Sequence, residues 1–151
     1  DPGGLRRRRR LMPASPPFTM RGIDHIVLRV VDLPRMLAFY HDVLGCTDER
    51  EQAAIGLHQL RAGASLIDLV TIDGRLGARG GAAPGAEGRN LDHFALAIDP
   101  FDDAGLRAHL AAHDVEIIEE GPRYGAEGEG PSFYIRDPEG NVVELKGPPD
   151  S

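Results

Sequence analysis

The chain contains the same pattern of residues twice. Residues 23–40 read IDHIVLRVVDLPRMLAFY, and residues 91–110 read LDHFALAIDPFDDAGLRAHL. Each copy begins with an Asp-His pair and continues as an apolar run, a proline and a segment with helical spacing of apolar residues. This repeat constrains the fold more than any other feature, because each copy is one supersecondary unit that must pack against its neighbour.

Each copy predicts a strand, a helix and three further strands. The runs HIVLRVV and HFALAI are too apolar for strands with one solvent-exposed face. A proline fits the first turn of a helix, because the N–H group that proline lacks would have no hydrogen-bond partner within the helix there. Gly45 is predicted to end the first helix. The later strands are predicted at 47–53, 56–62, 65–72, 115–119, 131–136 and 141–146. The sequence therefore predicts an α+β fold built from two βαβββ modules.

The repeat also sets the predicted boundaries of a single domain at 20–147. Five segments result: a disordered basic extension at 1–19, module one at 20–72, a Gly/Ala-rich linker at 73–89, module two at 90–147 and a tail at 148–151. A second Gly-rich segment, 121–132, is predicted to be a loop. Both Gly-rich segments are candidate lids that would exclude water from a site.

Charge and cysteine content limit the partners and the compartment. The 151 residues carry 17 basic and 24 acidic side chains, and the extension alone holds the run Arg6–Arg10. The rest of the chain is therefore strongly acidic, which argues against nucleic acid and anionic membranes as partners. The extension itself could be a basic arm or a targeting piece, or a disordered leader upstream of a start at Met20. A single cysteine, Cys46, excludes an intrachain disulfide and leads us to expect a cytoplasmic protein.

Each module ends on a strand that carries an acid within an apolar run. Asp68 lies in SLIDLVTI and Glu144 lies in NVVELKG. Alternation along a strand places Glu144 on the same face as Lys146. Because an unpaired buried carboxylate is costly, each acid is expected either to face water or to turn into a cavity that compensates its charge.

Two histidines at strand starts and two acids in last strands indicate a metal site. If a pseudo-twofold axis relates the modules, His25 and Asp68 of module one face His93 and Glu144 of module two. Imidazole and carboxylate together suit one divalent ion such as Ni²⁺, Co²⁺, Fe²⁺, Mn²⁺ or Zn²⁺. Taken singly, each of the four residues could instead be structural.

The segments DHIVLRVVDLPRMLAFYHDVLG and FYIRDPEGNVVEL resemble the vicinal oxygen chelate superfamily. This superfamily includes glyoxalase I, fosfomycin-resistance transferases, bleomycin-resistance proteins, methylmalonyl-CoA epimerase and extradiol dioxygenases, and the resemblance covers about residues 20–147. It implies cupped mixed sheets around a metal and substrate cleft. It also implies that the metal ligands are His25, Asp68, His93 and Glu144, although glyoxalase I usually has Glu where this chain has Asp68.

The resemblance to glyoxalase I implies a metal-dependent lyase that isomerises a small vicinal-oxygen substrate through a metal-stabilised enediolate. Glu144 would be the base that moves the proton. Arg29 matches the position of an arginine that binds the glutathione part of the substrate, although Val70 and Ile72 replace the polar residues usual in that pocket. The further candidate substrate contacts are His58, Arg123 and Tyr124.

Other functions within the same resemblance remain open. An extradiol ring-cleaving dioxygenase would need only two histidines and one glutamate on Fe²⁺, and an acyl-thioester epimerase usually has Gln at the position of Asp68. A bleomycin-resistance-like member would bind a ligand without catalysis. We expect a homodimer with a small-molecule substrate, and the modules could pair within one chain or across a swapped dimer.

Overall fold

The computed structural model of the protein describes residues 15–150, so most of the predicted extension lies outside the described residues. The elements, in chain order, are β1 (His25–Val30), α1 (Leu33–Ala38) continuing into a π-helical turn (Phe39–Val43), β2 (Thr47–Gln52), a 3₁₀ turn (Ala53–Ile55), β3 (Leu57–Ala62), β4 (Ser65–Thr71), β5 (Phe94–Ala97), α2 (Asp103–Ala112), β6 (Glu119–Gly125), β7 (Gly128–Arg136) and β8 (Val142–Lys146). The predicted α+β class with two βαβββ modules is confirmed. Within residues 15–150, no helix is long and apolar enough to cross a membrane.

Each module folds into its own four-stranded mixed sheet. The strand orders are β1-β4-β3-β2 and β5-β8-β7-β6. In both sheets the first strand pairs in parallel with the last, and the other pairings are antiparallel. The first strand of each module therefore lies at an open edge, with one row of its backbone N–H and C=O groups unpaired by the sheet.

The first helix begins and ends where its sequence predicts. The side chain of Asp32 accepts a hydrogen bond from the backbone N–H of Arg35, and a proline occupies the first turn. Gly45, with φ of +72°, follows the π-helical turn. A left-handed backbone at this position explains why the chain uses glycine to leave the helix and enter β2.

One face of each sheet packs into a shared core. The buried core residues are Leu28, Val30, Met36, Phe39, Tyr40, Cys46, Leu60, Ile67, Leu69, Leu110, Phe133, Ile135, Val143 and Leu145. They come from both sheets and both helices. The opposite face of each sheet carries the polar residues identified from the repeat. Because the apolar faces pack into the core, the candidate site lies on the faces directed away from it.

Module two differs from its prediction around the second Gly-rich segment. Residues 115–118 lie outside any strand, and β6 begins only at Glu119. The expected loop 121–132 is instead the hairpin of β6 and β7, paired from Glu119↔Tyr134 to Gly125↔Gly128. Glycine and proline disfavour strands, but β6 is an edge strand, where a residue such as Pro122 is tolerated. The segment is therefore a wall of the sheet, which contradicts its prediction as a loop.

The turn between β7 and β8 joins the two modules. The Tyr40 hydroxyl donates to Asp137 Oδ2 at 2.8 Å in the buried interior. The Glu139 carboxylate accepts from the backbone N–H of Val31 at 2.9 Å and of Asp32 at 2.7 Å. The turn segment RDPEGN therefore also satisfies backbone donors at the end of β1.

Candidate metal and substrate site

Module one brings its histidine and its acid together. His25 Nε2 lies 3.9 Å from Asp68 Oδ2, and His25 Nδ1 lies 2.7 Å from Asp24 Oδ2. The hydrogen bond to Asp24, followed by the charge of Asp68, raises the pKa of His25. The Gln59 amide donates to both oxygens of Asp68, at 3.3 and 3.2 Å. Asp68 is thus held from the neighbouring strand β3.

Module two repeats the arrangement with a closer contact. His93 Nε2 lies 3.2 Å from Glu144 Oε1, and His93 Nδ1 lies 2.6 Å from Asp92 Oδ2. The Ser132 hydroxyl donates to Glu144 Oε2 at 2.6 Å. Burial would raise the pKa of Glu144, but the hydrogen bonds from Ser132 and Tyr134 and the neighbouring His93 outweigh it, and the pKa is lowered.

The donor chemistry in both modules fits a divalent metal ion. In each, an aspartate beside the histidine in sequence engages Nδ1, which leaves Nε2 directed toward the carboxylate of the last strand. Metal-binding histidines are commonly oriented through their other ring nitrogen in this way. The two aspartates, Asp24 and Asp92, therefore position the histidines. The residues that would hold an ion are His25, Asp68, His93 and Glu144.

The four candidate ligands nevertheless form two pairs. Within residues 15–150, no three His, Cys, Asp or Glu side chains gather closely enough to hold a metal ion. One pair belongs to the sheet of β1 and the other to the sheet of β5. The acids are only 5% and 8% exposed, whereas His25 and His93 are 45% and 36% exposed. Each half-site therefore lies beside an open sheet edge with its histidine partly uncovered.

Arg29 lies on the polar face of the first sheet but binds the linker. Its Nε donates to the carbonyl of Gly77 at 2.8 Å, and its two Nη atoms donate to the carbonyls of Gly81 and Ala82 at 2.6 and 3.0 Å. These bonds occupy the guanidinium group that the resemblance predicted to bind the glutathione part of the substrate. In this conformation Arg29 holds the segment 73–89 against β1.

The strand register separates His58 from the candidate site. His58 pairs with Leu69, whereas Gln59 pairs with Asp68. Because partners across an antiparallel pair share a face, Gln59 lies beside Asp68 and His58 lies on the opposite face. The expectation that His58 lines the cleft is therefore not supported by the register. The sequence analysis did not single out Gln59, and only the register identifies it.

The other two predicted substrate contacts lie on β6, in the second sheet. The Arg123 guanidinium is centred 5.4 Å from the Tyr134 ring and donates to Glu119 at 3.1 Å. Tyr124 is 86% exposed and lines a cavity of about 200 Å³ that also contains Glu144. Both residues lie in the module that carries Glu144, and their substrate roles remain predictions.

Two hydroxyl groups that contact Glu144 were not predicted. Tyr134 is the strand partner of Glu144, and Ser132 is two residues before it on β7. Alternation along β7 puts both side chains on one face, which the sequence FYIRD with its preceding serine could have indicated. How close these two side chains lie to Glu144 depends on strand register, which the alternation of residues along a single strand does not predict.

The fold and these residues agree with a family comparison. Residues 22–145 match the model of the glyoxalase/bleomycin resistance protein/dioxygenase superfamily. The chain belongs to this superfamily. The predicted resemblance is confirmed, and so is its expected architecture of paired βαβββ modules. Members of the superfamily include enzymes that act with a divalent metal ion on small molecules.

Individual relatives cover most of the chain. Virulence protein STM3117 of Salmonella typhimurium is 32% identical over 130 residues, which are 82% of this chain and 81% of that protein. Its crystal structure superposes with a TM-score of 0.70 at 26% identity, covering 87% and 99% of the two chains. An integron cassette protein from the mobile metagenome of V. cholerae gives a TM-score of 0.65 at 29% identity, covering 86% and 97%.

A lactoylglutathione lyase from Agrobacterium tumefaciens has the same fold. It is 22% identical with a TM-score of 0.61, covering 85% of this chain and 94% of that chain. At this identity the likeness concerns the fold alone. The reaction of this superfamily member must therefore be argued from its own site.

Proposed function

We propose that the protein is a divalent-metal-dependent enzyme of the glyoxalase I type, which transfers a proton between adjacent carbons of a small vicinal-oxygen substrate. The observation that supports this proposal is the duplicated geometry. In both modules, Nδ1 of the histidine is held by an aspartate while Nε2 faces the acid of the last strand. A single His–Asp pair could be structural, but its repetition in two sheets fits one shared site.

Glu144 is the proposed base. A divalent ion bound at this site would polarise a substrate carbonyl and acidify the adjacent C–H bond. Glu144 would then take the proton from one carbon and deliver it to the next. Because its pKa is lowered, the carboxylate is ionised at neutral pH and able to accept a proton. Ser132 keeps one carboxylate oxygen fixed while the other oxygen faces His93.

The two half-sites are proposed to combine across a homodimer. Each pair lies beside an open sheet edge, and in the described residues of one chain the pairs do not gather into one ligand set. β1 also exposes Val27 and, just beyond its end, Val31. The outer edge of β1 has no strand partner, although side chains of Asn90 and Glu139 bond to the backbone of Arg29 and Val31. A strand edge of this kind, with apolar side chains beside it, favours association with a second chain. In such a dimer, module one of one chain would face module two of its partner.

Metal titration tests the ligand assignment. Calorimetry with Ni²⁺, Co²⁺ and Mn²⁺ is expected to give one ion per chain in the wild-type dimer. His93→Ala is expected to abolish stoichiometric binding, and His58→Ala, a histidine on the other face, is the matched control that should leave it intact. Tight binding that survives both His25→Ala and His93→Ala would contradict the proposed site.

A mixed dimer tests the pairing of modules. Chains carrying His25→Ala and His93→Ala are co-expressed with different affinity tags, and the heterodimer is isolated by two purification steps. If modules pair across the dimer, one of its two sites has no substitution and binds one ion. If modules pair within a chain, every site carries one substitution and the heterodimer binds none.

The activity is tested on the metal-loaded dimer. The hemithioacetal of methylglyoxal and glutathione is the first substrate, and Glu144→Gln is expected to abolish turnover. A second candidate function is ring cleavage of catechols, because Asp68 lies farther from its histidine than Glu144 does and is already bound by Gln59. A set of His25, His93 and Glu144 would match the two-histidine, one-carboxylate set of non-haem iron oxygenases. Oxygen consumption with catechols and Fe²⁺ distinguishes the two reactions.

A further inference from the structure

Lys146 is the only lysine in the chain, whose other basic side chains are all arginines. It lies on β8 two residues after Glu144, so both side chains are on the same face of the second sheet. It is only 9% exposed. A buried lysine that shares a face with the proposed base requires an explanation, because burying an ammonium group costs free energy unless its charge is compensated.

Two backbone carbonyls bind the ammonium group of Lys146. Its Nζ donates to the carbonyls of Gly128 at 3.1 Å and Gly147 at 3.3 Å. An ammonium group has three N–H donors, so one remains for a ligand. Among residues 15–150, no carboxylate lies within salt-bridge distance of Nζ, and Glu144 is engaged by Ser132 and His93.

The ammonium group is held at the wall of the Glu144 cavity. A Cβ added to Gly125 would lie 3.2 Å from Lys146 Cε, so the lysine side chain passes directly over the backbone of β6. The cavity of about 200 Å³ is lined by Lys146 and Tyr124, by the carboxylates Glu144 and Glu127, and by the small residues Ala95, Ala97, Gly125 and Ala126. Ala95 and Ala97 on β5 are the strand partners of Glu144 and Lys146, and larger side chains at these two positions would fill the cavity.

We propose that Lys146 binds an anionic group of the substrate, a carboxylate or a phosphonate, within this cavity. This assignment rests on the proposed function in one respect, because the anionic group bound at Lys146 would place the reacting carbons of the substrate beside Glu144, the proposed base. A lysine ammonium is a compact point charge, and its hydrogen bonds to an anionic oxygen are charge-assisted. Tyr124, which is 86% exposed, lines the same cavity. The substrate is thus an anion, and Lys146 selects it.

The single lysine allows a direct test on the metal-free dimer. Protein labelled with ¹³C-lysine gives one side-chain Hε–Cε correlation, which comes from Lys146. Methylphosphonate and propionate are expected to shift this signal saturably, and the neutral ester dimethyl methylphosphonate is expected to leave it in place. Comparing the two anions identifies which head group the cavity prefers. An unmoved signal, or an equal shift with the neutral ester, would overturn the proposal.

A matched pair of hydroxamates separates this proposal from the metal site. Butyrohydroxamate and succinohydroxamate share a vicinal-oxygen head, and only the second ends in a carboxylate. Calorimetry on the metal-loaded dimer is expected to show at least about tenfold tighter binding of succinohydroxamate. Lys146→Met should reduce this ratio to about one while metal stoichiometry is unchanged, and Arg35→Met, a charge loss on the exposed face of α1, should preserve the ratio.

The possible results are distinguishable. If neither hydroxamate binds, the proposed metal site is wrong, and the lysine signal alone decides the role of Lys146. If both bind equally in the wild type, or the preference persists in Lys146→Met, the anion site is wrong while the metal site stands. Circular dichroism of Lys146→Met verifies that the sheet still forms.

Discussion

Replacing Tyr40 by phenylalanine should weaken the contact between the two modules and so destabilise the fold. Tyr40 is fully buried, and its hydroxyl donates to Asp137 Oδ2 at 2.8 Å. After the substitution, that oxygen keeps only the bond from the Asn141 side chain at 2.8 Å. A hydrogen bond to a charged group contributes about 1.5–3 kcal/mol, so Tyr40→Phe should lower the free energy of unfolding by about 1.5–3 kcal/mol at neutral pH.

The pH dependence of this loss follows from the carboxylate. Burial raises the pKa of Asp137 in the folded state, and the hydrogen bonds from Asn141 and Tyr40 partly oppose the rise. A raised folded-state pKa means that the charged carboxylate is disfavoured by folding, so its contribution to stability declines as pH rises through that pKa. Without the Tyr40 donor the pKa rises further. The extra loss in Tyr40→Phe is therefore expected at neutral pH and should shrink as pH falls and Asp137 is protonated.

Urea denaturation followed by circular dichroism, from neutral to acidic pH, measures this effect. Tyr124→Phe is the matched control, because Tyr124 is 86% exposed and its stability should change by less than about 0.5 kcal/mol. A cost below about 0.5 kcal/mol for Tyr40→Phe at neutral pH would refute the assigned hydrogen bond. A cost that is equal at every pH would refute the ionised state of Asp137.

Two further predictions concern the linker and Asp68. Gly77→Ala should displace the linker, because the new Cβ would collide with the carbonyl oxygen of Thr71, whereas no atom lies within 4 Å of a Cβ at Gly85. Limited proteolysis should therefore cut Gly77→Ala faster than wild type or Gly85→Ala, and equal rates would contradict this packing. Gln59→Leu removes both hydrogen bonds to Asp68 and should weaken metal affinity about tenfold at unchanged stoichiometry. Calorimetry measures both quantities, and unchanged affinity would remove Asp68 from the proposed ligand set.

Local patterns in the sequence predicted most of the secondary structure. Pro34 and Gly45 bound the first helical segment, and the apolar alternation predicted the strands that carry Asp68 and Glu144. Two predictions failed in module two: the strand predicted at 115–119 begins only at Glu119, and 121–132, where glycines and prolines predicted a loop, forms a hairpin. Pairing with β7 and an edge position overcame the weak strand preference of these residues, and neither can be read from local composition.

The repeated Asp-His pair and the acid of each last strand were determined by the sequence alone, because alternation and repetition are properties of the chain. Which residues support those acids was decided only by the tertiary structure. Strand register placed Gln59 beside Asp68, placed Ser132 and Tyr134 beside Glu144, and turned His58 away. Register depends on long-range pairing, and a shift of one residue would move every side chain to the other face. The same pairing placed the only lysine at the wall of the Glu144 cavity, where no carboxylate of residues 15–150 lies within salt-bridge distance of its Nζ.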